Sequence, residues 1–352
     1  MPQTRNGLDP TPFEPKAAGP DIWAMYHAFR RQRLRETRPD DPPMPDHVVE
    51  ASMKRDDPFG EARRHLIIRD GQVVSSFYAG RVKPGAPGYD SNKHLVWIDA
   101  GVLTTERRQG IGRLWARLAL DILNEWDATT LTTYAEEDDG HAFLRWLGAD
   151  QKSTGAENRL LMAEVDWDMV DRWVAEGGAK SPESALVFYE NRVPDEALEA
   201  FCPALSSMLN TMPFDDLDHG EIVITPDMVR ERYTENAQTG AVEHTLLTRE
   251  PDGTISSITD VHYQPARPDR IHQMFTGVRP DCRGRGLGKL IKASMLHRLR
   301  RAYPDARWVV TGNANSNDPM LAINRRLGFR TYRANVSYQI TSDTLAERLA
   351  QV

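Results

Sequence analysis

The sequence has little cysteine and no long apolar run, and both absences narrow the classes of protein that it can encode. Its two cysteines, Cys202 and Cys282, are too few and too far apart for the disulfide framework of a small secreted domain. No group of Cys and His residues has the spacing of a metal site, so no metal is expected. No stretch approaches the roughly 18 apolar residues of a membrane-spanning helix, so no membrane partner is expected.

The chain also lacks an excess of positive charge. It carries 44 Lys and Arg against 51 Asp and Glu, a formal net charge of −7. Bulk nucleic-acid binding needs a basic surface to neutralise phosphates, so this balance argues against a nucleic-acid partner. The polar, proline-rich start is unlike a secretory signal. We therefore expect a cytoplasmic protein whose residues 1–20 form a flexible arm.

The sequence does contain enough apolar residues to build a hydrophobic core, and its length suggests two domains. Hydrophobic residues make up 40% and charged residues 27% of the 352 residues, a globular composition at an ordinary two-domain length. A charged stretch that contains glycine and proline marks a linker at residues 167–184. The sequence therefore predicts one domain over residues 21–166 and a second over residues 185–352.

The two predicted domains repeat one order of strands and helices. Arg107–Gly112 falls on Arg283–Gly288 when the first half is shifted by 176 residues. Further along, Leu147 falls on Leu327 with a shift of 180 residues, so only a small insertion separates the two registers. Such internal repetition indicates a duplicated α+β unit.

Each repeat carries R-x-x-G-x-G between a predicted strand and a predicted helix. Glycines let consecutive backbone N–H groups point into one concavity, and the helix that follows adds its unpaired N–H groups and positive dipole end. This arrangement suits the pyrophosphate of a nucleotide-like cofactor, and basic side chains in the second loop add charge. Neither loop has the pattern of a P-loop or the three glycines of the Rossmann fingerprint.

With these motifs the chain resembles the GNAT family of acetyl-CoA-dependent N-acetyltransferases. The match lies in TGVRPDCRGRGLGKLI and NANSNDPMLAINRRLGF, and it extends over most of both halves. The tandem arrangement is similar to that of mycothiol synthase-like and antibiotic-cluster two-domain acetyltransferases. The resemblance implies an α/β (α+β) fold class, with two tandem GNAT folds that each form a mostly antiparallel mixed sheet flanked by helices.

The resemblance also implies that acetyl-CoA is the co-substrate and that each loop contacts it. In the second repeat the implied residues are Thr276, Gly277, Val278, Arg283, Gly284, Arg285, Gly286, Leu287, Gly288, Lys289, Asn315 and Asn324. In the first repeat they are Val102, Leu103, Arg107, Arg108, Gln109, Gly110, Ile111 and Gly112. The strand that ends at Val278 would splay from its neighbour, and a backbone N–H near Val278 would polarise the thioester carbonyl.

His272 is the candidate general base. It stands six residues before Val278, where the histone-acetylating branch of the family carries its base, and histidine ordinarily titrates near neutrality. The competing interpretation is a strand histidine that packs against the hairpin without a catalytic part. The matching residue of the first repeat is Val96, which has no acid–base chemistry.

The sequence assigns the acid for the departing thiolate less directly. Many family members have a Tyr five residues before the Phe of L-G-F, where this chain has Asn324 and, in the first repeat, Leu144. Tyr338 is therefore a candidate catalytic residue, with Tyr332 as a second fallback, and either residue could instead be structural. Because the first repeat lacks both a base and an acid, we expect it to bind CoA or to serve as a scaffold.

Several other polar and aromatic positions admit two interpretations. Asp260 and His262, on the strand beside His272, could face a substrate cleft or form a solvated strand face. Asp99 could be a strand-edge charge, and Trp97 is most simply a core residue.

The sequence thus predicts acetyl transfer from acetyl-CoA to a primary amine of a small molecule, by direct attack in a ternary complex. Two alternatives stay open: an acyl-CoA-binding regulatory protein without turnover, and an acetyltransferase that acts on a protein N-terminus or lysine. The chain is expected to be a monomer or a homodimer, and the sequence does not identify the acceptor.

Overall fold

The computed structural model describes residues 8–351, and these form two compact units. The described part of unit 1 comprises residues 8–153, 216–221 and 336–351, whereas unit 2 comprises residues 154–215 and 222–335. Each unit therefore takes residues from both halves of the sequence. This division differs from the predicted boundary at residues 167–184.

Unit 1 contains a sheet in the order β1-β2-β3-β4-β5-β12, in which only the pair β4 and β5 is parallel. Its strands are β1 (Thr11–Pro12), β2 (Gly60–Arg69), β3 (Gln72–Val82), β4 (Leu95–Val102), β5 (Thr130–Ala135) and β12 (Arg330–Thr341). Residues 336–341 of β12 pair with β5, so the last strand of the chain completes the sheet of unit 1.

The helices of unit 1 cover the apolar faces of this sheet. They are α1 (Pro20–Thr37), α2 (Asp46–Lys54), α3 (Tyr89–Asn92), α4 (Ile111–Glu125), α5 (Asp138–Leu147) and α11 (Ser342–Ala350). Helix α4 buries Trp115 and Leu123 at helical spacing, and α11 adds the fully buried Leu345 to the same core.

Unit 2 contains a sheet in the order β6-β11-β10-β9-β8-β7, in which only β10 and β11 are parallel. Its strands are β6 (Asp150–Leu161, from residue 154 onward), β7 (Ala185–Glu190), β8 (Val242–Arg249), β9 (Ile255–Tyr263), β10 (Arg270–Val278) and β11 (Trp308–Ala314). The mixed, mostly antiparallel sheet predicted for each repeat is confirmed in both units.

The helices of unit 2 are α6 (Trp167–Lys180), α7 (Asp195–Leu209), α8 (Pro226–Thr239), α9 (Leu287–Ala302) and α10 (Asp318–Leu327). Strand residues alternate between two core clusters, because successive side chains point to opposite faces. Leu247 and Phe275 pack with α7 and α8, whereas Leu246 and Ile271 pack with α9.

Two predicted irregular segments are instead ordered. The predicted linker is mostly helix α6, whose Trp173 is buried in the core of unit 2. Within the predicted flexible arm, Leu8 and Phe13 are buried and Thr11 pairs with Leu66 of β2. Residues 1–7 of that arm lie outside the described residues.

Within residues 8–351, no helix combines the length and the apolar character needed to cross a membrane. The same residues contain no group of three or more His, Cys, Asp or Glu side chains arranged to hold a metal ion.

Candidate functional site

In unit 2 the parallel strands β10 and β11 separate part-way along their length. They pair only from Arg270 to His272 on β10, although β10 continues to Val278. Beyond the separation β11 pairs on its other side with β6, and β10 with β9. Beyond His272 the described strands share no backbone ladder, and the Gln273 carbonyl is held instead by the Thr311 hydroxyl of β11 at 3.2 Å. This separation confirms the predicted splay.

A β-bulge lies at the point where the strands separate. The register between β10 and β9 shifts between Gln273 and Phe275, so Met274 is the extra residue. Its side chain is 66% exposed, although it lies in the middle of a central strand. A bulge re-aims side chains and bends its strand, and this one does so at the opening of the gap.

The loop that follows β10 presents a row of backbone donors. Gly284 and Gly286 have φ near +82°, and Gly286 caps the start of α9. Within the described chain, the backbone N–H groups of residues 284–289 have no backbone acceptor. Consecutive free N–H groups at a helix N-terminus form an anion site, so this loop has the geometry expected for a pyrophosphate.

The cations around this loop differ in their availability. Arg283 donates to Thr211 Oγ1 at 3.0 Å and to the Val278 carbonyl at 3.3 Å, but no carboxylate of the described chain pairs with it. Arg285, by contrast, forms an ion pair with Glu250 at 3.0 Å and donates to Ser184. Arg283 is thus available to an anion, and Arg285 chiefly fixes the loop to the β8–β9 hairpin.

In unit 1 the equivalent loop has similar backbone geometry. Strands β4 and β5 pair only from Leu95 to Trp97 before they separate, and Gly110, with φ of 90°, caps α4. Among the described residues, the N–H groups of residues 108–112 have no backbone acceptor.

The charge at the unit 1 loop is less favourable to an anion. Arg107, the equivalent of Arg283, is held by Glu137 at 3.0 Å and by Asp139 at 2.8 Å. Phe143 lies so close to Gly112 that an added Cβ would meet its ring at 2.8 Å. Two carboxylates beside this loop repel an anion that the unit 2 loop would attract.

Comparison with solved structures identifies the fold. The chain is similar to a tandem GNAT protein from the clavulanic acid biosynthesis pathway, with a TM-score of 0.72 and 22% identity over 95% of this chain and 98% of that one. It is also similar to a GCN5-related N-acetyltransferase from Sphaerobacter thermophilus, with a TM-score of 0.62 and 16% identity over 96% of each chain. The chain is a tandem GNAT-fold protein.

Two curated proteins are similar to the chain in sequence. A mycothiol acetyltransferase from Salinispora arenicola is 27% identical over 309 residues, which are 84% of this chain and 87% of that protein. A mycothiol acetyltransferase from Thermomonospora curvata is 34% identical over 96 residues, which are 27% of this chain and only 30% of that protein. No protein-family model matches the sequence.

In this tandem GNAT fold, His272 lies at the last paired position before the gap. Burial, together with the positive charges of Arg267 and Arg270, lowers the pKa of His272 to about 4. The expectation that this histidine titrates near neutrality is therefore wrong. His272 is a neutral imidazole at pH 7, able to accept a hydrogen bond but poorly suited to hold a proton.

Asp260 lies on the same sheet face as His262 and His272, because His262 is paired with His272 and Asp260 is two residues away on β9. It is only 6% exposed, so the interpretation as a solvated strand face is wrong for Asp260. Burial and the negative charge of Glu243 raise the pKa of Asp260 to about 7. The Asp260 carboxyl therefore titrates near pH 7, where His272 stays neutral.

Asn324 is buried, 2% exposed, in a chain of polar side chains beside the gap. Lys292 of α9 donates to Asn324 Oδ1 at 2.7 Å, and Asn324 Nδ2 donates to Asn313 Oδ1 on β11 at 2.8 Å. A protonated lysine can only donate, so it determines which end of the Asn324 amide faces it. Asn313 Nδ2 is left without a partner among the described residues and can donate elsewhere.

Tyr338 was predicted for the second repeat, but the structure places it in unit 1. It pairs with Thr133 of β5 and is 3% exposed, and its hydroxyl oxygen lies 3.1 Å from His141 Nδ1. Tyr338 lies in unit 1 because strand β12 belongs to unit 2 only as far as residue 335 and to unit 1 from residue 336 onward. Tyr332 does remain in unit 2, where the guanidinium of Arg159 lies 3.3 Å from its ring centroid.

Some residues predicted to contact acetyl-CoA have side chains that are already engaged elsewhere, so they can offer it mainly their backbone groups. Leu287 and Ile111 are 1% and 2% exposed, with side chains in the hydrophobic cores. Thr276 shares its hydroxyl with Thr259 at 2.8 Å, and Asn315 donates to Thr154 at 3.1 Å.

Sequence reasoning missed two lysines of this region. Lys180 is at the end of α6, and its Cδ lies 3.7 Å from the position that a Cβ on Gly286 would take. No carboxylate of the described chain pairs with Lys180. The sequence predicts a linker over this segment, and a linker gives no reason to place Lys180 beside the loop. Lys292 was missed because it lies within a helix whose apolar spacing suggested only core.

Proposed function

We propose that unit 2 binds acetyl-CoA and transfers its acetyl group to a primary amine of a small molecule. The observation that carries the proposal is the row of free N–H groups at residues 284–289, which directly follows the splayed part of β10. Both curated relatives are named as acetyltransferases, which agrees with the proposal.

In this proposal the loop holds the pyrophosphate, and the nearby cations complete its neutralisation. Arg283 and Lys180 carry no ion pair among the described residues, and Lys289 lies over the Trp173 ring at 5.4 Å. Charge-assisted hydrogen bonds from such groups to phosphate are short and strong. The thioester would then lie along the unpaired edge of β10, whose N–H groups stabilise negative charge on the carbonyl oxygen.

The transfer itself forms a carbon–nitrogen bond and breaks a carbon–sulfur bond, and the amine loses one proton. His272 would accept a hydrogen bond from the attacking amine as a neutral imidazole. Asp260, with a pKa of about 7, is better matched to take up the released proton at neutral pH. Asn313 Nδ2 would donate to the departing thiolate, which then takes its proton from water.

A matched pair of glycine substitutions tests the coenzyme site. Gly286 and Gly110 both cap a helix with positive φ and have no atom within 3.4 Å of an added Cβ, so Asp meets similar backbone strain and no clash at each. We expect Gly286→Asp to weaken acetyl-CoA binding at least about tenfold by charge repulsion, measured by calorimetry, and Gly110→Asp to change it little. Gly112 is unsuitable because an added Cβ there would clash with Phe143.

Thermal unfolding of both variants serves as the folding control. If Gly110→Asp alone abolishes binding, the coenzyme site is in unit 1 and the proposal is wrong. If Gly286→Asp abolishes binding but no primary amine supports release of free CoA thiol, the regulatory alternative gains support. That alternative is favoured by one observation, namely the low pKa of His272.

A further inference from the structure

A chain of three polar side chains in unit 2 ends at the gap between β10 and β11. Lys292 Nζ on α9 donates to Asn324 Oδ1 on α10 at 2.7 Å, and Asn324 Nδ2 donates to Asn313 Oδ1 on β11 at 2.8 Å. Lys292 and Asn324 are each 2% exposed, whereas Asn313 is partly exposed. One end of the chain is therefore buried in the protein, and the other end can contact a bound molecule.

Asn313 lies in the part of β11 that has separated from β10. Val310 is the last residue of β11 that pairs with β10, so Asn313 stands three residues, or about 10 Å, further along the strand. The Thr311 hydroxyl donates to the Gln273 carbonyl at 3.2 Å, and beyond it no hydrogen bond among the described residues joins the two strands. The free Nδ2 of Asn313 therefore borders the gap.

The proton on Lys292 determines the direction of this chain. A protonated lysine can only donate, so it holds Asn324 Oδ1, and Asn313 then presents its Nδ2 donor to the gap. A neutral lysine has a lone pair and can accept from Asn324 Nδ2 instead. Both amides can then turn over, and Asn313 presents its Oδ1 acceptor to the gap.

The surroundings of Lys292 allow both charge states near neutral pH. Burial lowers the pKa of Lys292 to about 7, and no charged side chain of the described residues contributes to this change. Several charged groups on α6, α9, α10 and β12 make other contacts: Asp171 pairs with His297, Arg330 with Glu164, and Lys289 and Arg326 lie over the Trp173 ring. Among the described residues, the Asn324 amide thus supplies the one oxygen that Lys292 hydrogen-bonds.

We propose that Lys292 is a positioning residue, which acts through Asn324 to present the amide donor of Asn313 to the sulfur of the coenzyme. The proposal rests on the proposed function, because it takes the molecule in the gap to be acetyl-CoA or CoA. A donor at this place stabilises negative charge on the sulfur as the carbon–sulfur bond breaks, whereas an acceptor oxygen would repel that charge. Lys292 keeps its own proton throughout, and a thiolate in the gap in turn favours the protonated lysine.

NMR of the full chain, produced with isotope-labelled asparagine, reads the direction of the chain without any ligand. We expect the side-chain amide signals of Asn313 and Asn324 to shift together with pH, with one midpoint near the pKa of Lys292, about 7. Asn317, whose side chain caps α10, is the internal control and should show no such midpoint. In Lys292→Met the shared titration should disappear from both signals.

A second measurement compares CoA with desulfo-CoA, which lacks the thiol, by calorimetry at about pH 6, where Lys292 is protonated. The wild-type chain should bind CoA about threefold more tightly or better, because only CoA offers a sulfur to the Asn313 amide. Lys292→Met and Asn313→Ala should each remove this preference, and the double variant should lose no more than either single variant. Met295→Leu, which changes a fully buried residue of α9 in another core cluster, should retain it.

The outcomes distinguish this proposal from the proposed function. If the wild-type chain binds CoA and desulfo-CoA equally, or if the effects of Lys292→Met and Asn313→Ala add, the proposal is overturned and the coenzyme site stands. Asn313 signals that do not follow those of Asn324 overturn it as well. If neither compound binds, the coenzyme site proposed for unit 2 is wrong and this proposal falls with it. Because Asn313→Ala changes a partly exposed side chain, its result decides the question even if Lys292→Met does not fold.

Discussion

At the scale of single residues, Lys292 is a buried amine with no carboxylate beside it among the described residues. It is 2% exposed, and its contacts are Asn324 Oδ1, the Met320 sulfur at 3.8 Å and the Phe329 ring at 5.3 Å. Burial lowers the pKa of Lys292 to about 7. A lysine in such surroundings destabilises the fold, so its presence points to a purpose other than stability.

The first repeat supplies the comparison that reveals this purpose. At the positions of Lys292 and Asn324 it has Ala116 and Leu144, both buried and apolar. The same helix pair therefore packs without any polar group in unit 1. The polar pair of unit 2 is thus not needed for packing, and its effect is to orient Asn313 at the gap between β10 and β11.

The double variant Lys292→Met/Asn324→Leu conserves volume and restores the apolar character of the first repeat. The wild-type lysine has a folded-state pKa below its unfolded value, so the wild-type chain gains stability as pH rises from 7 toward 10. We expect the double variant to lose that gain, measured as the free energy of unfolding in urea at pH 7 and pH 9. Equal pH dependence in both proteins would show that Lys292 is charged in the folded state.

The backbone of the site could be predicted from the sequence, whereas its side-chain pairing could not. Glycine spacing after a strand identifies Gly284 and Gly286, because positive φ favours glycine and the chemistry is local. Arg283 is available to an anion and Arg285 is not, because Arg285 pairs with Glu250, which precedes it by 35 residues in the chain. Likewise, the pKa of His272 follows from burial and from Arg267 and Arg270, which no strand pattern shows.

At the scale of elements, α6 shows how glycine can mislead. Gly177 and Gly178 resemble a break between domains, yet both lie inside the helix. An added Cβ on Gly177 would meet the Leu290 Cβ of α9 at 2.7 Å, whereas one on Gly178 would meet nothing within 4 Å. Gly177 therefore permits close contact between two helices, and the sequence alone cannot distinguish this use of glycine from a linker.

These adjacent glycines form an internally controlled experiment. Gly178→Ala should stabilise the chain by about 1 kcal/mol, because alanine favours the helix over glycine. Gly177→Ala should destabilise it by about 1–3 kcal/mol, because the methyl group forces α6 from α9. Urea denaturation of both variants measures the difference. Equal effects would mean that α6 does not pack tightly against α9.

At the scale of the whole molecule, the sequence repeat and the folded unit do not coincide. The chain repeats at about its midpoint, but residues 336–351 belong to the core of unit 1. Strand β6 in turn begins with unit 1 and contributes its residues 154–161 to the sheet of unit 2. The sequence could predict both copies of the fold, because each motif is local. It could not predict which copy the last strand completes, since both sheets offer an equivalent position.

This exchange predicts that the first repeat does not fold by itself. A chain of residues 1–166 lacks Tyr338, Ile340, Leu345 and Leu349, all of which are buried in the core of unit 1. Its strand β5 would also lose the partner at residues 336–341 and become an exposed edge that favours aggregation. We expect this fragment to show poor amide dispersion in NMR spectra and no cooperative unfolding.

A single substitution in the intact chain separates the loss of this core from the general effect of truncation. Leu345 is fully buried in unit 1, so Leu345→Ala should lower the free energy of unfolding by about 2–5 kcal/mol. Because unit 2 holds no side chain from residues 336–351, its amide protection should persist while that of unit 1 falls. If fragment 1–166 instead unfolds cooperatively and Leu345→Ala is neutral, the first repeat is autonomous and its last strand is dispensable.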